Sequence, residues 1–444
     1  MLRHRTQKIY DKPSGQRSQI DRKQFPKVKL YLSSGKNKTL LIRFTPEQLR
    51  VRANMKRKVK LGLERLLSEK KRLLKGKRVG LICNHASVDH KYRLAADSFL
   101  EDEEIKLEAV FGPQHGLNTD VQDNMIETPH ATYRGIPAFS LYSETRKPTS
   151  EMLEKIDTLV FDLQDVGCRV YTYIYTMANS MQACAETGKE FIVLDRPNPI
   201  GGIEIEGNLV EKGYESFVGM YPITMRHGMT AAELALMFNQ EFGIGCDLKI
   251  VKMQSWKRSY FYDETDCPWV MPSPNMPTVD TAVVFPGTVF FEGTQVSEGR
   301  GTTRPFEIVG APYINARTLS EEMNSLKLPG VIFRPINFIP TFHKHAGKSC
   351  GGVFLHVTDR KEFKPVLAGI ALLKTIHDLY PSEFRWKEPP YEYVFDKNPF
   401  DVIAGTDKIR KQIESGQKIQ QIASSWKENE ASFAKIRHKY LLYD

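Results

Sequence analysis

The chain has 444 residues, 41% hydrophobic and 26% charged, which suits a soluble globular protein of two domains and excludes a fibrous or wholly disordered one. No apolar run approaches the ~18–20 residues of a membrane span, and residues 1–30 lack the apolar stretch of a secretory signal, so a cytoplasmic protein is expected. The net charge of +10 hints at nucleic acid, but residues 1–54 hold 14 Lys+Arg against 3 Asp+Glu, leaving 49 against 50 elsewhere. The body is near neutral, and no nucleic-acid partner is expected.

Residues 1–54 lack periodicity and read as a basic, disordered leader. Met55, opening MKRKVKLGLERLL, is an alternative start. From residue 76 apolar runs of strand length alternate with helical stretches, and polar residues follow most of the runs. KRVGLIC ends at Asn84-His85, LEAVF at Gln114-His115, TLVFDLQ at Asp165-Val166-Gly167, and EFIVLD at Arg196-Pro197-Asn198. Continuous apolar strands separated by helices predict a parallel sheet covered on both faces, an α/β Rossmann-like domain over 55–225. VYTYIYTMANSMQACAETG predicts a helix ending near Gly188. TAAELALMFNQEFG predicts another, opened by a Thr230/Glu233 capping box. The rest, 226–444, reads as a mixed α+β domain. Its Pro- and Gly-rich centre, around VMPSPNMPTVDTAVVFPGTVFFEGTQ, admits no long helix.

In open parallel sheets, ligands bind beyond the carboxyl ends of the strands, where these polar residues recur. No GxGxxG follows the first strand and no GxxxxGK[ST] occurs, so neither NAD nor ATP is expected, and no cofactor is assigned. The cysteines are scattered without a CxxC pair, and the HKH at 343–345 reads as a polar loop; no metal is assigned.

The words GLICNHAS, FGPQHG, VFDLQDVGCRVYTYIYTM, LDRPNPIGG, EGTQVSEGRGTTRPFEIVGAP and FDVIAGTDKIRKQIESG, with the closing KYLLY, resemble the NamZ-type exo-β-N-acetylmuramidases, a glycoside hydrolase family, over residues 76–443. The resemblance implies a Rossmann-like domain, a second domain and a cleft between them. It also implies release of terminal N-acetylmuramic acid from the non-reducing ends of peptidoglycan fragments, so the partners would be muramic-acid-containing saccharides or muropeptides. In that family the FGPQHG position ordinarily carries glutamate before the histidine; here it is Gln114, which cannot exchange a proton. Either another carboxylate replaces it, or the protein binds sugars or muropeptides with altered catalysis.

Glycoside hydrolysis ordinarily needs one carboxylic acid to protonate the leaving oxygen and a second carboxylate as nucleophile or base. Asp123 and Glu127 follow Gln114 closely and are candidates for the acid. Asp165 and Arg169 either meet substrate, or Asp165 caps the following helix and Arg169 neutralises it. Asp162 shares a face with Gln164 on the extended segment and is a candidate for substrate contact. Tyr171 either packs the core or offers its ring to a sugar. His115 would orient a carboxylate or bond the sugar, and Asn84 and Asn198 lie at strand ends. Arg196 either binds the lactyl carboxylate of muramic acid or pairs structurally with Asp195. In the second domain, Glu292 is the first candidate for substrate contact and Arg300 for an anionic substituent. Both lie on a glycine-rich loop expected to close over a ligand.

Overall fold

The computed structural model describes residues 56–122 and 125–444; the expected leader and Asp123 lie outside them. Seven strands form one sheet: β1 (Arg78–Ile82), β2 (Lys106–Gly112), β3 (Ala131–Tyr133), β4 (Ile136–Ser140), β5 (Thr158–Phe161), β6 (Glu190–Leu194) and β7 (Asp247–Val251). Their order is β3-β4-β2-β1-β5-β6-β7. Neighbours are parallel except β3 and β4, an antiparallel pair at one edge. The central strands are apolar on both faces because both are covered, and every residue of β5 is buried. At the other edge, β7 keeps Asp247 and Lys249 exposed. This strand lies past the 225/226 division expected from the sequence, yet it pairs with β6 in the same sheet.

The chain leaves β1 towards β2 and later returns to β5 on β1's other side, which makes the β1/β5 junction the topological switch point. The predicted helix runs over Tyr173–Thr187 and stops at Gly188, whose φ of 64° suits the left-handed C-terminal cap. The helix Ala231–Glu241 begins at the expected capping box, with Thr230 accepting from the Glu233 amide and Glu233 from that of Thr230. The same helix start is gripped by buried Asp195, which accepts from the Thr230 hydroxyl (2.8 Å) and the Ala232 amide (3.0 Å). Tyr443, from the closing KYLLY, donates its hydroxyl to Asp195 at 2.5 Å and so fastens the end of the chain to the sheet. Burial pushes the Asp195 carboxyl up to about 7.

A second, antiparallel sheet has the order β8 (Ile308–Ala311), β10 (Cys350–Val357), β9 (Val331–Phe338). Helices Ala316–Ser325 and Pro365–Leu379 belong to this region. Within the Pro- and Gly-rich stretch a ten-residue helix forms, Val279–Thr288, with Thr278 capping it and Pro286 inside. Its residues are almost all buried, and that burial offsets a proline cost of about 3 kcal/mol. It crosses helix Pro365–Leu379 backbone to backbone: a Cβ on Gly287 would meet the Pro365 carbonyl oxygen at 1.9 Å.

Arg169, expected to meet substrate, serves the fold instead. It is 0% exposed and donates to the carbonyls of Asn208 (2.6 Å), Ile223 (3.0 Å), Ile403 (3.2 Å) and Ala404 (2.7 Å). The last two close the helix Pro399–Ala404, where a cation suits the helix dipole. Arg169→Ala should therefore cost at least about 3 kcal/mol, since it strands several buried acceptors. Urea denaturation would show the midpoint falling, and an unchanged midpoint would contradict this role.

Candidate active site

A narrow cleft lies where the strand-end loops of the parallel sheet meet the second half of the chain. Gln114 and His115 enter it from the turn after β2, and Tyr171–Tyr173 from the segment leading into the long helix. Glu292, Arg300 and Phe306 follow from the glycine-rich stretch, and Tyr391-Glu392 from near the C-terminus. Two of these residues are buried carboxylates in contrasting surroundings.

Glu392 is 4% exposed and accepts from the Gln114 amide nitrogen (3.1 Å) and the Tyr142 hydroxyl (2.9 Å). Burial pushes its carboxyl up, the nearby Glu292 charge adds to that, and the two hydrogen bonds only partly offset it. Its backbone is held in an uncommon way. Tyr391 and Val394 exchange hydrogen bonds of 3.1 and 2.9 Å around a two-residue turn, with φ of 45° at Glu392 and 64° at Tyr393. Such primed turns favour Asn-Gly, and a Glu-Tyr pair there costs roughly 1–3 kcal/mol per residue. The strain is retained at the residue whose carboxyl enters the cleft.

Glu292 meets only donors: Oε1 accepts from Arg300 at 2.6 Å and Oε2 from the Tyr391 hydroxyl at 2.6 Å. Both carboxylate oxygens are thus taken up as acceptors, one of them by a guanidinium. Arg300 also reaches Glu298 at 3.2 Å and lies over the Phe306 ring at 5.2 Å. Burial works to raise the Glu298 carboxyl, but the charges of Lys344, His343 and Arg300 hold it at about 2. Glu298 is 0% exposed, and Lys344 of the HKH triplet donates to it and to the carbonyls of Phe291 and Val296. The loop expected to close over a ligand is thus an ion-paired, buried wall.

Among the residues singled out from the sequence, Gln114, His115, Tyr171, Glu292 and Arg300 line the cleft. Gln114 is fixed at both ends, its carbonyl accepting from Thr172 at 2.6 Å while its amide donates to Glu392. His115 points Nδ1 at the Val121 carbonyl, 2.7 Å away. Tyr171 packs edge-on against Tyr173 and Phe285.

The other candidates among the described residues do not line it. Arg196 is not available for a ligand carboxylate, because its fork is filled by Asp162 (2.7 and 2.8 Å) in a fully buried pair. That contact also removes Asp162 from substrate. Asp165 accepts from the Gly167 amide at 2.7 Å and stands 3.4 Å from His227, so its carboxylate serves the turn. Gly167, at φ 82°, is required there: a Cβ would meet the Asn198 side-chain oxygen at 2.5 Å. Asn198 in turn bridges the Ile200 amide and the Met229 carbonyl. Asn84 holds the wall from behind, donating to the Tyr173 hydroxyl (3.0 Å) and the Pro272 carbonyl (3.1 Å). Glu127 is exposed, with the Tyr393 hydroxyl at 3.3 Å and Arg146 at 3.8 Å.

The residue that sequence reasoning missed is Glu392. YEYV carries no strand-end pattern and no Gly, Asn or Asp to announce its turn, and only the Glu between two tyrosines, after two prolines, sets it apart. Glu392 also lines a more open adjoining pocket with Arg146, Phe217 and Tyr393. The Arg146 guanidinium is held there between the Tyr142 ring (4.4 Å) and the Tyr393 ring (4.2 Å).

The family models for exo-beta-N-acetylmuramidase NamZ match this chain, the N-terminal one over residues 79–280 and the C-terminal one over 283–443. The peptidoglycan beta-N-acetylmuramidase NamZ of Bacillus subtilis (strain 168) is 50% identical over 389 residues, spanning 87% of this chain and 92% of that protein. Two crystal structures of DUF1343 family proteins from Bacteroides fragilis NCTC 9343 share the fold. One has a TM-score of 0.80 at 38% identity, covering 88% of this chain and 100% of that one. The other has a TM-score of 0.68 at 31% identity, covering 87% and 99%. Matched from the first strand to the closing tyrosine, the chain belongs to the NamZ family.

Proposed function

We propose that the chain is an exo-β-N-acetylmuramidase, releasing terminal N-acetylmuramic acid from the non-reducing ends of peptidoglycan fragments. The activity named for the Bacillus subtilis relative supports the substrate class. The observation that carries the chemistry is the contrast between the two cleft carboxylates. Glu392, whose carboxyl is pushed up by burial, is the general acid that protonates the leaving oxygen. Glu292, gripped by Arg300 and Tyr391, supports the oxocarbenium-like transition state. Because Glu392 also lines the adjoining pocket, the terminal sugar sits in the cleft and the leaving saccharide in that pocket, against Phe217 and Tyr393. No helix among the described residues is long and apolar enough to cross a membrane.

Release of N-acetylmuramic acid from a saccharide whose leaving group is a sugar tests this reading, with a saccharide-binding protein as the rival that Gln114 suggests. If Glu392 is the acid, Gln114 is a positioning residue, and Gln114→Glu sets a second carboxyl about 3 Å from it. Two such groups share a proton, so the basic limb of the pH profile should move upward without a large gain in rate. An inactive parent whose Gln114→Glu variant turns over would place the acid at that turn and favour the rival.

A further inference from the structure

Away from the cleft, three metal-ligating side chains converge that no sequence motif connects. His90 lies in the loop after β1, while Asp266 and Cys267 follow the short turn Tyr262–Glu264. One ligand atom from each lies within 4.8 Å of the others. We propose that His90, Asp266 and Cys267 bind a divalent transition metal, zinc in preference to magnesium or calcium, with Glu64 orienting the imidazole from outside.

The two nitrogens of His90 have distinct partners. Nδ1 lies 2.7 Å from Glu64 Oε1, which also accepts from the His90 amide at 3.3 Å. Nε2 faces Asp266 Oδ1 at 3.3 Å, and the ring also contacts the Cys267 side chain. A carboxylate on one imidazole nitrogen with further ligands on the other is the arrangement that fixes tautomer and ring plane in histidine metal sites. Thiolate, imidazole and carboxylate together suit zinc, whereas calcium and magnesium demand oxygen donors. Tetrahedral zinc needs its ligand atoms roughly 3.3–3.8 Å apart, within reach of small rotamer changes here.

Charge and access agree. Of the neighbouring cations, the Arg196 guanidinium is already neutralised by Asp162, Arg57 is paired with Glu264, and Lys60 with Glu69. Cys267 is buried, yet His90 and Asp266 line an open surface pocket that admits the ion and a water as fourth ligand. The site also ties down the start of the described chain. The Val59 amide donates to Asp266 at 2.9 Å, the Arg57 amide to the Glu264 carbonyl at 2.8 Å, and Lys60 pairs with Gln254. None of the four residues lines the carboxylate cleft, so the metal stands apart from the proposed hydrolysis.

The test is cobalt titration of the full chain after treatment with a chelator. One equivalent of Co2+ should give tetrahedral d–d bands and a thiolate charge-transfer band, both bleached by Zn2+, and Zn2+ should raise Tm. Cys267→Ser should remove the charge-transfer band. Asp266→Asn, which keeps the thiol and serves if the serine variant does not fold, should weaken binding, and Glu64→Gln should weaken it by roughly 10–100-fold while keeping the band. Absence of the band in the parent at saturating Co2+, or its persistence in Cys267→Ser, would overturn the proposal.

Discussion

Glu392→Gln is expected to lower kcat for release of N-acetylmuramic acid by roughly 10²–10⁴-fold while the chain stays folded, because the amide keeps the shape of the carboxyl but has no acid proton to give. The sign of the accompanying stability change follows from the raised carboxyl. A carboxyl that holds its proton more tightly when folded contributes stability below its unfolded pKa, and this is lost as pH rises through the folded value. Gln mimics the protonated form at every pH. The variant should therefore match the parent's Tm in acid and exceed it at higher pH. Thermal melts at both ends of that range, beside turnover, check the pair of effects. A variant equally active at all pH values would remove Glu392 from the chemistry.

Glu292→Gln is expected to cost at least about 10²-fold in kcat/KM, for a different reason. It removes negative charge facing the sugar and leaves the Glu392 carboxyl in place, raised somewhat less. The fold should survive because Arg300 keeps Glu298 as a partner at 3.2 Å. The leaving group separates the two roles. With an activated aryl glycoside that needs no protonation, the Glu392→Gln defect should shrink towards the parent rate, while that of Glu292→Gln should stay as large as with a sugar leaving group. Equal behaviour of the two variants across leaving groups would contradict the assignment.

The fold was largely legible because its signals are local. Apolar runs of four to seven residues gave the strands of the parallel sheet, and Thr230-x-x-Glu233 announced a helix start in the place the capping box occupies. Period and capping do not report which side of a turn a polar group faces. Asp165, Asn198 and Arg196 sit at strand ends as a ligand site would require, but the turn amides and Asp162 claim them. Gln114, His115, Tyr171, Glu292 and Arg300 were found because turn or loop glycines and aromatic neighbours flag them, and they do line one cleft. Glu392 was not legible, since its place depends on a strained turn 278 positions from Gln114, and no local pattern encodes that contact. The His90–Cys267 cluster escaped for the same reason: its members are distant in sequence and match no ligand spacing.

The most direct measurement is a crystal structure of Glu392→Gln with an uncleaved muropeptide bound. The glycosidic oxygen should lie within hydrogen-bond distance of the residue 392 side chain, with the anomeric carbon facing Glu292 and the leaving sugar beside Tyr393. A scissile bond lying instead against Glu127 or Asp165, with Glu292 and residue 392 remote from it, would contradict the account.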